Sequence, residues 1–196
     1  MKVIIATKNQ GKLREFKRIL EPIGFTVHSQ LEYGIDGQAE ENGTTFEENA
    51  RLKAHYVFEK TGEITIADDS GICVDALGGR PGIYSARYGG SGLTDAERVD
   101  KLLRELSETP AEKRTAHFSC AISVIFPDEE WSIFEICEGS IALQPSGLGG
   151  FGYDPVFVVD GKSFSEMDDD EKDRVSHRGK ALRELARRFN ERKIYK

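Results

Sequence analysis

Val3-Ile4-Ile5-Ala6 is an unbroken apolar run, and it gives way at once to the polar stretch Thr7-Lys8-Asn9-Gln10. A run that short reads as a fully buried strand; a signal peptide needs a longer apolar stretch and a small-residue cleavage site. After the polar stretch the apolar period changes. Leu13, Phe16, Ile19, Leu20 and Ile23 share one face of a helix over about Lys12 to Glu21, which Pro22 and Gly24 close. Phe25-Thr26-Val27 is a second strand. A chain that opens strand, polar turn, amphipathic helix, strand is committed to an α/β arrangement.

Farther along, Leu31 to Gly43 is acidic and glycine-bearing and reads as loop. A second helix opens at Thr44-Thr45, where Thr44 with Glu47 or Thr45 with Glu48 forms a capping box. It runs to about Lys60, and Gly62 stops it. Ile64-Thr65-Ile66-Ala67 is a strand that delivers Asp68 and Asp69 at its C-terminal end. Gly78 to Gly92 is a long loop. A helix over Thr94 to Leu106 is capped by Thr94 with Glu97. Thr115–Phe126 and Trp131–Leu143 form a hairpin turning at Pro127 to Glu130. Pro155 to Val159 is a further strand, and the end from about Ser165 is helical with a break near Ser176. The expected fold class is α/β: a mixed β-sheet flanked by helices, with two lobes around a central substrate cleft.

The chain has 196 residues, 38% of them hydrophobic, so the expectation is a single domain over residues 1–196. No apolar run approaches the roughly 20 residues of a membrane span, which predicts no membrane partner and a cytoplasmic protein. A formal net charge of −7 argues against nucleic-acid binding. It leaves room for an anionic small substrate, because a few focused lysines outweigh the global sign locally. The cysteines are Cys73, Cys120 and Cys137, an odd number with no CxxC pair, which reads as buried free thiols.

Five constellations carry candidate chemistry. Thr7, Lys8, Asn9, Gln10, Gly11 and Lys12 link a strand to a helix, where unpaired amides and the helix dipole favour an anion. They are a phosphate cradle or a capped helix with a surface lysine, and they are not the Walker pattern. Asn49 and Lys53 are spaced i,i+4 on one helical face. Asp68 and Asp69 stand where α/β sheets place ligands, and in a strand they point to opposite faces, so one can line a cleft while the other supports it. A carboxylate beside phosphates usually holds Mg²⁺. Glu40 and Glu41 are both candidates for a second one; the alternative is a solvated loop. In Gly147 to Pro155 the letters GxGxxG occur without a helix after them, which rules out the dinucleotide reading. The turn either presents Phe151 and Tyr153 to a flat base or is a hairpin loop with buried aromatics. Last come Ser176-His177-Arg178-Gly179, with Lys172 just before; taken alone, His177 and Arg178 read as a surface pair.

In this order the segments resemble the inosine triphosphatase family of house-cleaning purine NTP pyrophosphatases. The resemblance rests on Thr7 to Lys12, on Thr45-Phe46-Glu47-Glu48-Asn49-Ala50 with Lys53, and on Ala67-Asp68-Asp69-Ser70-Gly71. It continues through Gly78 to Arg87, Gly150-Phe151-Gly152-Tyr153-Asp154-Pro155 and Ser176-His177-Arg178-Gly179. It implies an elongated fold, a homodimer, Mg²⁺, and hydrolysis of ITP, dITP or XTP to the monophosphate and pyrophosphate. Thr7 to Lys12 and Lys53 would hold the triphosphate, and Asp69 would bind metal and activate water, with Ser70 on the substrate. Phe151, Gly152, Tyr153, Asp154, Lys172, His177 and Arg178 would hold base and sugar. Arg178, which has donors only, would read the oxygen at purine position 6. The rival expectations are a related pyrophosphatase for other modified nucleotides and a nucleotide-binding regulator without turnover.

Overall fold

The structure is a computed structural model describing residues 1–90 and 92–191. Ser91, inside the expected Gly78–Gly92 loop, and the end of the expected C-terminal helical stretch past Glu191 lie outside the described residues.

Seven strands form one sheet in the order β2-β1-β3-β4-β5-β6-β7. They are β1 Lys2–Ile5, β2 Thr26–Ser29, β3 Thr65–Val74, β4 Thr115–Ile125, β5 Glu130–Ile141, β6 Phe157–Val159 and β7 Lys162–Ser163. The helices are α1 Gln10–Leu20, α2 Phe46–Thr61, α3 Asp95–Glu105, α4 Asp169–Val175 and α5 His177–Glu191. β1 pairs parallel with both β2 and β3, while β6 pairs antiparallel with β5 and β7. The sheet is therefore mixed, as expected.

Each helix starts where its local chemistry dictates. Asn9 caps α1, its side chain accepting from Lys12 N, and Thr45 and Thr94 make full capping boxes with Glu48 and Glu97. Such caps contribute about 1 kcal/mol each. Ser176, expected as an N-cap, is the single residue between α4 and α5, and its N–H bonds to Lys172 O as the C-cap of α4.

Two expectations on strands need correction. β3 does not end at Ala67; it continues through Asp68, Asp69, Ser70 and Gly71 to Val74. Acidic and glycine residues are read locally as turn signals, but here β3 runs on past its pairing with β1 as the neighbour of β4, and Ile72 and Val74 beyond them are fully buried. β7, with two residues, has no local signal and arises from pairing with β6.

The chain divides into two compact units. The first comprises Met1–Asp69, Cys120–Glu135 and the chain from Arg178 onward; the second comprises Ser70–Ser119 and Ile136–His177. The first unit packs Leu13, Phe16 and Leu20 of α1 with Val3, Ile5, Ile66, Ile122, Leu182, Leu185 and Phe189, and a second cluster joins Ile4, Ala6 and Ala67 to Ala54 and Val57 of α2. The second unit packs Ile72, Val74, Leu102, Phe118, Ile141, Tyr153, Phe157 and Phe164. All three cysteines are free and buried. No described helix is long and apolar enough to cross a membrane.

Candidate active site

The first unit has the topology that creates a binding crevice. From β1 the chain crosses through α1 to β2 on one side and then through α2 to β3 on the other, giving the local order β2-β1-β3. Such a reversal leaves a gap beyond the carboxyl end of the first strand, where open α/β sheets bind ligands. Thr7 to Lys12 leave β1 at that end. Pairing of β1 with β3 is registered at Ile4↔Thr65 and Ile5↔Ile66, so Asp68 and Asp69 come just past the paired segment.

The loop is built for an anion. Asn9 N bonds to Thr7 Oγ1 at 3.1 Å and Lys12 N to Asn9 Oδ1 at 3.0 Å. The first main-chain bond of α1 is Leu13 N to Asn9 O, so the first-turn amides precede the ladder, at the positive end of the helix dipole. Lys8, Asn9 and Gln10 are exposed, and Thr7 and Lys12 are half-buried.

Behind the loop lies a buried set of charges. Lys12 Nζ is 2.9 Å from Asp68 Oδ2. Arg178 gives Nε and Nη2 to the same oxygen at 3.2 and 3.0 Å, and Nη1 to Glu15. Glu15, Asp68 and Arg178 are all buried. Burial works against the ionised Asp68, yet Lys12, Arg178 and Lys53 overcome it and hold the carboxyl well below the usual range. Burial likewise opposes the Arg178 charge, and Asp68 and Glu15 outweigh it and raise its pKa. Burial pushes the neighbouring Cys120 thiol up to about 12, which leaves it protonated and inert.

Asp69 faces different company. Its Oδ1 accepts from Lys53 Nζ at 2.6 Å, and Lys53 is also 3.7 Å from Glu41. Burial is the larger influence on Asp69 and moves its carboxyl above the usual range, against the pull of Lys53 and Lys12. Burial alone would lower Lys53; Asp69, Asp68 and Glu41 together hold it raised and protonated. Asp69 Oδ2 is buried with no hydrogen-bond partner among the described residues. A buried carboxylate oxygen that the protein leaves unused fits a hard cation. Among the described residues no group of three or more His, Cys, Asp and Glu is placed to hold a metal ion. Asp69, through this oxygen, and a carboxylate of the acidic loop could hold a divalent cation that takes one or two carboxylates and completes its shell with phosphate oxygens and water. Of the two candidates in the acidic loop, Glu41 is half-buried beside Lys53 and Glu40 is exposed.

The expected base-holding residues of the second unit are knitted together. Asp154 Oδ2 accepts from Phe151 N at 2.8 Å and from Lys172 Nζ at 2.7 Å. Lys172 lies 4.8 Å from the centroid of the Phe151 ring. Gly150 has φ 76°, and a Cβ there would come within 2.2 Å of Asp154 Oδ2, so this turn admits only glycine. Tyr153 is buried in the core, with its hydroxyl donating to Ser85 O at 2.9 Å, whereas Phe151 is half-buried. Of these two rings, Phe151 is the one that keeps a face near the surface. Gly152 N donates to Asp95 Oδ2 at 2.7 Å. His177 is buried and stacks on Phe118 at 4.5 Å and 11°. Ser70 is half-buried on β3, beside Asp69.

Two participants have no mark in the sequence. Glu15 meets Arg178 across 163 positions, and Asp95 meets Gly152 across 57. Each is an unremarkable helix carboxylate until the chain folds.

Known proteins with this sequence pattern carry the same fold. The family model described as the Ham1 family matches residues 3–188. The chain is 50% identical over 187 residues to a dITP/XTP pyrophosphatase of Bacillus licheniformis, covering 94% of this chain and 95% of that one. A dITP/XTP pyrophosphatase of Bacillus subtilis is 49% identical, with 94% of each chain covered. Among solved structures, a HAM1 protein from Coxiella burnetii aligns with a TM-score of 0.88 at 37% identity, covering 97% of this chain and 99% of that one. The Staphylococcus aureus Ham1 protein aligns at 0.87 with 39% identity, covering 98% and 100%. This chain belongs to the Ham1 family.

Proposed function

We propose that this Ham1-family protein hydrolyses non-standard purine nucleoside triphosphates, dITP, ITP and XTP, to the monophosphate and pyrophosphate, with Mg²⁺. The observation that carries the reading is the pair of half-buried Lys53 and buried Asp69 beside the α1 loop, one carboxylate oxygen on an ammonium and the other without a protein partner among the described residues. The near-50% identity to dITP/XTP pyrophosphatases over almost the whole chain supports the same substrate class.

Thr7 to Lys12 and Lys53 hold the triphosphate. Asp69 and Glu41, in preference to Glu40, would hold Mg²⁺, which would supply positive charge to neutralise the phosphates. The water oxygen bonds to the α-phosphorus while Asp69 takes its proton; the anhydride bond between the α and β phosphates breaks, and pyrophosphate leaves with the bridging oxygen. Asp68 supports this arrangement as the buried anion that holds Lys12 and Arg178. Phe151 would offer a ring face to the purine, with Gly152, Tyr153, Asp154, Lys172 and His177 shaping the surroundings of that ring. Arg178 and Ser70 complete the substrate contacts. The protein works as a homodimer in the cytoplasm, where it clears the nucleotide pool.

The test is pyrophosphate release from dITP, XTP, ITP, GTP and ATP with Mg²⁺ and with excess EDTA. Release from the first three, with little from GTP and ATP and none in EDTA, is expected. Preference for a methylated or pyrimidine triphosphate, or binding without release, overturns the reading.

A further inference from the structure

Helix α2 carries a buried amide that the proposed reaction does not use. Asn49 lies one turn before Lys53 on α2 and is fully buried. Its Oδ1 accepts from Gly43 N at 2.9 Å, and its Nδ2 is buried with no partner among the described residues. An apolar side chain would fill this place without an unmet donor, so the amide is there for what its polar atoms can hold. What it holds is the end of the acidic loop. Gly43 is two residues from Glu41, which in turn stands 3.7 Å from Lys53. The packing over Gly43 is close. A Cβ at that position would come within 2.7 Å of Glu48 Cβ and 2.8 Å of Asn49 Oδ1. The loop is therefore docked on the first turn of α2 by a part-buried hydrogen bond at a point where only glycine fits, next to the bonds of Thr44 and Thr45 to Glu48.

We infer that Asn49 is a positioning residue: through Gly43 it fixes the acidic loop so that the Glu41 carboxylate is kept beside Lys53 and Asp69 as the second carboxylate of the cation site. This rests on the metal reading above and extends it to a residue outside the site. An isolated loop glutamate would spread over many positions, and its ordering would then weaken cation binding. Docking the loop beforehand removes that cost, as outer partners do in other metal sites. The amide also places the loop from the same helix that carries Lys53, so the ammonium and the acidic segment are set by one rigid element.

The experiment uses the full-length protein, with Asn49→Ala and Gly43→Ala as variants and Glu48→Gln as control. Glu48→Gln weakens the capping box at the same turn, leaving the Gly43–Asn49 bond and the Glu48 Cβ in place. Two readouts are taken: amide hydrogen exchange over residues 40–43, and Mn²⁺ affinity by calorimetry without nucleotide. Both alanine variants are expected to lose protection at 40–43 and to bind Mn²⁺ at least about tenfold more weakly, the low end for outer partners of a metal. Glu48→Gln is expected to stay within about twofold in affinity. Unchanged exchange or unchanged affinity in Gly43→Ala and Asn49→Ala overturns the inference, as does an equal loss in Glu48→Gln. If the wild-type protein does not bind Mn²⁺, the metal reading itself fails, a result distinct from any difference among the variants.

Discussion

Asp68 and Asp69 are consecutive on β3, yet their carboxylates answer to different partners: Asp68 to Lys12 and Arg178, Asp69 to Lys53. One is held ionised by two cations, buried Arg178 and half-buried Lys12, and the other is pushed up by burial. Alternation along a strand permits this division; the charges supplied by α1, α2 and α5 make it a division of labour.

Asp69→Asn should lower kcat by about 10²–10⁴-fold, the scale of a lost general base, while the fold stays intact. Asp68→Asn should act differently. It strips the charge from a buried carboxylate between two cations, a change that costs about 3–5 kcal/mol, or on the order of 10 °C in Tm. Kinetics and thermal unfolding of both variants check this. Equal, mild effects from the two would show that the roles are not divided between them.

In the metal-free protein the Asp69 carboxyl should titrate above the ordinary aspartate value of 3.8, because burial raises it. Lys53 pulls that value down, so Lys53→Ala should move the titration, followed by carboxyl NMR, to still higher pH. Stability runs by the opposite rule for the two aspartates. The depressed Asp68 stabilises the fold above its unfolded value and loses this as pH falls through the folded one; the raised Asp69 stabilises only below its unfolded value and loses this as pH rises. At neutral pH, Asp69→Asn should therefore cost no stability and Asp68→Asn should cost it. Unfolding followed from neutral pH down to about pH 1, across the range in which a depressed carboxylate loses its contribution, gives the sign directly.

Lys12→Ala should raise KM more than it lowers kcat, since an ammonium on a phosphate grips ground and transition states alike. Lys53→Ala should raise KM as well, with the pH displacement as its separate signature. A pure kcat effect from Lys12→Ala would make it a transition-state group.

Arg178→Ala leaves Glu15 and Asp68 buried without their shared cation, so a loss of about 3–5 kcal/mol in stability is expected. If Arg178 also reads the purine 6-oxygen, the ITP to ATP ratio of kcat/KM should fall in the surviving protein. Arg178→Lys keeps charge but loses the fork and should show the same change in ratio with less loss of stability. An unchanged ratio in both variants leaves Arg178 only its place between the two carboxylates.

The local sequence sufficed for whatever depends on neighbours in the chain. The apolar run at β1, the stripe of Leu13, Phe16 and Leu20, and the capping boxes at Thr45 and Thr94 all act within a few residues, so they are legible before any tertiary contact. The polar stretches Thr7 to Lys12 and Asp68 to Asp69 can be marked as chemistry because each comes directly after an apolar strand. Tertiary structure decided the rest. Asp68 and Asp69 became interior positions of a ten-residue strand because β3 runs on beyond its pairing with β1 as the neighbour of β4. Tyr153 became a core residue and Phe151 the half-buried ring because Ser85, far away in sequence, accepts the tyrosine hydroxyl. Glu15 became the anchor of Arg178 across 163 positions. Periodicity and capping are short-range and are written in the order of residues; burial and the pairing of charges depend on which distant segments meet, and those meetings exist only once the chain has folded.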